Sequence, residues 1–160
     1  MTDLYRCTPR QVAKFVEDCI YADLVPFVQS SPGMGKSSIM RNVAKKLELE
    51  LIDHRLSTSS PEDLSGLPRF DENGRAYFAP FRDLFPLQGD MLPPGKKGWM
   101  IFLDEFNSAS RSVQAASYKL ILDKMTGQYP LHERVVLTAA GNLSTDRAIT
   151  NPISTAMQSR

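Results

Sequence analysis

Residues 25–47 read VPFVQSSPGMGKSSIMRNVAKKL, and no other stretch constrains the fold of this chain so tightly. Residues 25–29 form a short apolar strand candidate that runs straight into a loop with glycines at 33 and 35. Residues 37–47 then place Ile39, Val43 and Leu47 on one helical face. A strand that passes through a tight loop into a helix is the first half of a strand–helix–strand unit, and such units pair their strands in parallel.

The rest of the chain repeats the alternation. Residues 49–56 (LELIDHRL) are a second strand candidate. Residues 100–103 are a third, apolar throughout, as a buried parallel strand is. Val113, Ala116, Ser117, Leu120 and Ile121 recur at helical spacing, and residues 135–140 supply a fourth strand. Ahead of all this, Thr8 can cap a helix, Pro9 suits its first position and Gln11 can complete a capping box. Val12, Phe15, Val16 and Cys19/Ile20 form that helix's apolar face, with Cys19 expected as a small buried residue. Strands alternating with helices predict an α/β fold around a parallel sheet. One region departs from the pattern. In GLPRFDENGRAYFAP, Asn73-Gly74 separates residues 67–70 from 75–78, which is a hairpin signal. Residues 82–98, with Pro86, Pro93, Pro94 and glycines at 89, 95 and 98, read as loop.

Three groups of residues carry chemistry. SSPGMGKSS fits the phosphate-binding pattern G-x-x-x-x-G-K-[S/T], except that Ser30 replaces the first glycine. Gly33 and Gly35 let backbone N–H groups converge on an anion, and the following helix adds its N-terminal dipole. Lys36 supplies a cation for phosphates and Ser37 a hydroxyl for Mg²⁺, while Pro32, Met34 and Ser38 complete the nucleotide-binding set. The rival is a plain glycine turn beside an exposed lysine; the strand before and the helix after favour the phosphate loop. The second group is Asp104-Glu105 at the end of WMIFLDEFN. Asp104 can hold Mg²⁺, usually through water, and Glu105 can polarise an attacking water. Alone these are equally two solvated acids; following a phosphate loop they match the Walker B arrangement. The third is Asn142, placed just past the fourth strand, whose neutral amide can bond a terminal phosphate or the lytic water.

Together these motifs resemble the AAA+ family of ATPases. SSPGMGKSS is similar to that family's Pro-Gly-x-Gly-Lys loop, MIFLDE to its Walker B strand and TAAGN to its sensor-1 strand. SSPEDLSGLP, the hairpin, FAPFRDLF, LDEFNSASRSVQAASYKLILDKMTGQ and NPISTAMQSR resemble more narrowly the MoxR-like (dynein-related) branch, which inserts a β-hairpin near its second helix. The resemblance covers almost all of the chain from about Ser30 onward. It implies a three-layer P-loop NTPase core over residues 1–160, sheet order 2-3-4-1 with a fifth strand missing beside the first, and a hairpin insert at about residues 66–80. It also implies that the small helical lid is absent and that the chain is a fragment, a poor ATPase when isolated. The implied function is Mg²⁺-dependent ATP hydrolysis that remodels or assembles a protein partner, carried out by a ring of subunits, hexameric in the full-length protein. Glu105, Asn142 and Arg160 would be catalytic, Arg160 acting as an arginine finger in a neighbour's site, with Arg147 the alternative. A von Willebrand factor A-type domain is the implied partner. The rivals are a nucleic-acid motor or helicase loader, and an ATP-gated scaffold that hydrolyses little. One departure stands out: the branch often continues Asp-Glu-h-Asn-Arg, and here Ser108 replaces the arginine, with Arg111 the nearest basic residue.

Composition excludes other classes. A formal net charge of +1 argues against a broadly basic nucleic-acid surface and so for a protein client. No apolar run approaches the roughly 18 residues of a membrane span, and MTDLYRCTPR has no secretory pattern, so a cytoplasmic, non-membrane protein is expected. Two cysteines make no disulfide framework. His54 and His132 lack partners at zinc-ligand spacing. Phe70, Tyr77, Phe78, Phe81 and Phe85 read as local core, with a platform that grips a polypeptide or stacks on bases as the alternative.

Overall fold

The computed structural model describes residues 6–143. Arg147, Arg160 and the segment NPISTAMQSR lie outside the described residues.

Helix α1, Pro9–Tyr21, begins as its capping residues dictate: the Thr8 N–H donates to Gln11 Oε1 at 2.8 Å, and the Gln11 N–H donates to Thr8 Oγ1. Strand β1 (Phe27–Ser30) leads through the glycine loop into α2 (Lys36–Lys46), then β2 (Leu49–Arg55). A 3-10 turn (Leu56–Thr58), a short helix α3 (Pro61–Ser65) and a hairpin of β3 (Leu67–Phe70) and β4 (Ala76–Ala79) come next. Strand β5 is Gly98–Asp104, and a 3-10 turn (Phe106–Ser108) joins it to α4 (Arg111–Asp123). A small hairpin of β6 (Met125–Thr126) and β7 (Tyr129–Pro130) precedes β8, Val135–Asn142.

Strands β1, β8, β5 and β2 lie side by side in that order, all parallel. This is the expected order 2-3-4-1 of the four sequence-predicted strands, read from the other edge. Helices cover both faces. On one, Val16 of α1 and Met40, Val43 and Ala44 of α2 pack on Val28, Met100, Phe102 and Ala140. On the other, Leu64, Phe85, Val113 and Leu120 pack on Ile101, Leu103, Leu137 and Ala139. Alternate residues of β5 thus enter opposite cores, and all seven are buried. This is why its sequence is apolar without alternation: each large side chain there stabilises by about 1.5–3 kcal/mol.

The structure differs from the sequence reading in places. β1 starts at Phe27 rather than 25, since Pro26 has no N–H to give; its carbonyl instead accepts the Ala139 N–H at 2.9 Å. β8 runs two residues further than expected, so Asn142 is its last residue. Helix α3 is an addition to the expected elements: Ser60 and Asp63 form its capping box and Pro61 takes its first position. The aromatic group divides: Phe85 is core, whereas Phe70 and Phe78 stand 74% and 43% exposed on the hairpin. Cys19 is half-buried, and that burial raises its thiol above the ordinary value.

Candidate nucleotide site

In a parallel sheet all carboxyl ends share one edge. Ser30, the last residue of β1, is in register with Asn142 of β8, and Arg55 of β2 with Asp104 of β5. The glycine loop, the Asp104-Glu105 pair and Asn142 therefore meet at one edge although they are far apart in sequence.

The loop has the geometry its glycines permit. Gly33 and Gly35 both adopt φ of 79°, where a side chain is strained. Gly35 caps α2 without a side-chain bond, and the Ile39 N–H makes the first intrahelical bond, to Gly35 O at 3.0 Å. The amides of such a first turn point along the axis toward the loop. Pro32, Gly33, Met34, Gly35 and Ser38 are exposed on the loop and first turn. Lys36 is not an exposed lysine: it is 9% exposed and its Nζ donates to Ser30 O (3.0 Å), Ser30 Oγ (3.2 Å), Ser31 O (3.4 Å) and Asn142 Oδ1 (3.2 Å). The serine in the first-glycine position is thus a partner of the lysine.

Across the edge, the Ser37 hydroxyl donates to Asp104 Oδ2 at 3.3 Å. Asp104 is 5% exposed, and its other oxygen accepts the Glu105 N–H at 2.8 Å. Asp53 of β2 lies nearby; partial desolvation, and then the Asp104 charge, raises its carboxyl above the usual carboxylate range. Among the described residues no cluster of three or more His, Cys, Asp or Glu could hold a metal alone. One hydroxyl and one carboxylate suit instead a Mg²⁺ that keeps its waters and shares phosphate oxygens.

Glu105 adopts φ 55° and ψ 36°, a left-handed conformation costly for a non-glycine residue. Its side chain is held from β2 and the turn after it: the Ser57 hydroxyl donates to Oε2, and Arg55 Nε lies 3.7 Å from Oε1. The sequence by itself assigns no role to Ser57 or Arg55. Asn142 donates through Nδ2 to Ser108 Oγ at 3.3 Å, while its backbone is bonded by the buried amide of Asn107, another residue that the motifs do not single out.

A four-stranded parallel sheet, helices on both faces and a glycine loop between β1 and α2 define the core of a P-loop NTPase fold. No protein-family model matches the sequence, and no curated protein does. In fold the chain is similar to a crystal structure at 2.00 Å described as a "putative ATPase" from Cytophaga hutchinsonii, with a TM-score of 0.63 and 20% identity. The match covers 94% of this chain and 43% of that one, so the chain spans less than half the length of its structural neighbour. Among the described residues no helix is long and apolar enough to cross a membrane.

Proposed function

We propose that this edge binds Mg-ATP and hydrolyses its terminal phosphate. One observation carries the reading: Lys36 lies 3.2 Å from Asn142 and Ser37 lies 3.3 Å from Asp104, which joins the three sequence groups into one cluster. The likeness in fold to the Cytophaga hutchinsonii structure supports it. The loop amides and Lys36 bind the phosphates, and Ser37 and Asp104 hold the metal. When bound, Mg²⁺ neutralises charge on the phosphate oxygens. Glu105 accepts a proton from the attacking water, and Asn142 orients that water or the terminal phosphate through its amide.

The finer reading rests on the sequence resemblance: a MoxR-like AAA+ subunit that works in a ring, with Arg160 or Arg147 serving the neighbouring site. In this reading it remodels a protein client together with a von Willebrand factor A-type partner. Stimulation of turnover by single-stranded DNA or RNA, and not by unfolded protein, would replace the protein client with a nucleic acid.

The test is calorimetric titration with Mg-ATP. Charge-assisted bonds contribute about 1.5–3 kcal/mol, so Lys36→Ala weakens affinity by about tenfold or more. Equal affinity in the folded variant refutes the site.

A further inference from the structure

We propose that Asn107 is a positioning residue: its side-chain amide replaces a missing stretch of strand and so fixes the Asn142 amide beside Lys36. The inference rests on the nucleotide site above and adds a residue to it.

The strand ladder explains the need. β5 and β8 stay in register only as far as Leu103 and Ala139, because β5 ends at Asp104. β8 continues for three further residues, to Asn142. In a parallel strand, successive residues turn their N–H and C=O to alternate neighbours. The Ala139 N–H points to β1, where it bonds Pro26 O. Two residues on, Gly141 points the same way, so Asn142 turns its backbone toward the β5 side, where the strand has already ended. Asn107 fills that place. Its Nδ2–H donates to Asn142 O at 2.6 Å, and its Oδ1 accepts the Asn142 N–H at 2.9 Å. A side-chain amide here makes the two bonds that a backbone neighbour would have made.

Two further observations agree. Asn107 is only 3% exposed, and a buried amide is costly unless it is bonded. Gly141 is shaped to it: a Cβ there would stand 2.6 Å from Asn107 Oδ1 and 2.9 Å from Cγ, inside any contact distance. The consequence reaches the site directly. With its backbone clipped, Asn142 presents Oδ1 to Lys36 at 3.2 Å and Nδ2 to Ser108 Oγ at 3.3 Å. Because Asn107 lies in the turn just after Asp104-Glu105, the clip also ties the Asn142 amide to the segment carrying the metal-binding and water-activating carboxylates.

The experiment uses the intact protein with Asn107→Ala, Asn142→Ala and the double variant, read by Mg-ATP calorimetry, steady-state turnover and amide exchange of residues 139–143. Asn107→Ala is expected to speed exchange at Asn142 and lower kcat by about 100-fold, the scale of a 1 Å misplacement, while Kd stays within about threefold. In the Asn142→Ala background it should cost nothing further, within about twofold, since it acts only through that side chain. Slow exchange retained in folded Asn107→Ala overturns the proposal, as does a kcat loss that multiplies fully onto that of Asn142→Ala. Should Asn107→Ala fail to fold, Asn107→Asp keeps the shape and the acceptor for the Asn142 N–H but sets a carboxylate oxygen against Asn142 O in place of the donor. It is expected to show the same signature, and unchanged exchange and turnover in it overturn the proposal. If the wild type binds no ATP, the proposed function falls instead, and the exchange measurement still decides whether the clip exists.

Discussion

Replacing Glu105 with glutamine separates the two things a carboxylate at this position can do. As a structural group Glu105 contributes little. Its side chain is 34% exposed, and its partner Arg55 is 59% exposed at a long 3.7 Å, so the pair is worth at most about 1 kcal/mol. The Ser57 hydroxyl can donate to an amide oxygen as well as to a carboxylate oxygen. Glutamine should therefore fold, keep the left-handed turn and leave Ser37 and Asp104 in place. Mg-ATP affinity is expected within about threefold of wild type, a change below about 0.7 kcal/mol, because Ser37, Asp104, Lys36 and the loop amides are untouched. Turnover is another matter. An amide cannot accept a proton from water, and a positioned general base contributes on the order of 10²–10⁴ in rate. Phosphate release by the intact assembled protein should fall at least a hundredfold, measured beside calorimetric binding on the same preparation. A variant that retains more than a tenth of wild-type turnover refutes Glu105 as the activating carboxylate. A variant that loses binding shows instead that Glu105 holds the loop together.

His54 should make stability depend on pH. It is 6% exposed; burial pushes its pKa below the ordinary 6.5, against the opposing charges of Asp63 and Asp53. Its Nε2 lies 2.9 Å from Ser59 Oγ, while Nδ1 is buried without a hydrogen-bond partner among the described residues, so an imidazolium would bury an unmet donor. The unfolded chain therefore binds the proton more readily: stability is full above about pH 6.5 and falls as pH drops through the lower folded value. Thermal melts from pH 8 to 5 should show this decline, and His54→Phe should flatten it; an unchanged slope refutes the assignment. Phe102, fully buried in the α1–α2 core, should cost about 3–5 kcal/mol when truncated to alanine, read as a shift in the urea midpoint; a loss below about 1 kcal/mol would mean that core is loosely packed.

Much of the fold is legible in the sequence because the signals are local. Thr8, Pro9 and Gln11 specify a helix start within four residues, and the structure forms both bonds of that box. Met100–Leu103 is apolar at every position because the strand is buried on both faces, and only a central strand with helices on either side has that environment. Lys36, Ser37, Asp104 and Asn142 stand out for a similar reason: each sits where a strand or a loop gives way to the next element and the sequence changes character. The residues that escape notice act at a distance. Ser57 and Arg55 look like ordinary polar residues at the end of a strand until the register of β2 on β5 sets Arg55 beside Asp104. Asn107 looks like a turn residue until the chain returns as β8 some thirty-five positions later. Gly141 carries the one available signal, since a glycine inside a strand often marks a close approach. The phenylalanines of the hairpin mislead because composition alone cannot tell a side chain packed under a loop, as Phe85 is, from one projecting on a ribbon, as Phe70 does.

Ser30 shows how a departure from a motif changes the energetics of the site it belongs to. A glycine there would offer Lys36 only a carbonyl; the serine offers its carbonyl at 3.0 Å and its hydroxyl at 3.2 Å. Ser31 O and the Asn142 amide also receive the ammonium, so Lys36 already has neutral acceptors around it. In the proposed function, phosphate binding is then an exchange of acceptors and not the capture of an unused charge. Its gain is the difference between bonds from the ammonium to a phosphate anion and bonds from the same ammonium to neutral oxygens. The same exchange couples the site. When Lys36 turns to a phosphate it releases Asn142 Oδ1, and that amide, still clipped by Asn107 through its backbone, becomes available to the terminal phosphate or the water beside it. In that reading the lysine and the asparagine respond to one ligand together, across two strands that meet because β1 and β8 are paired.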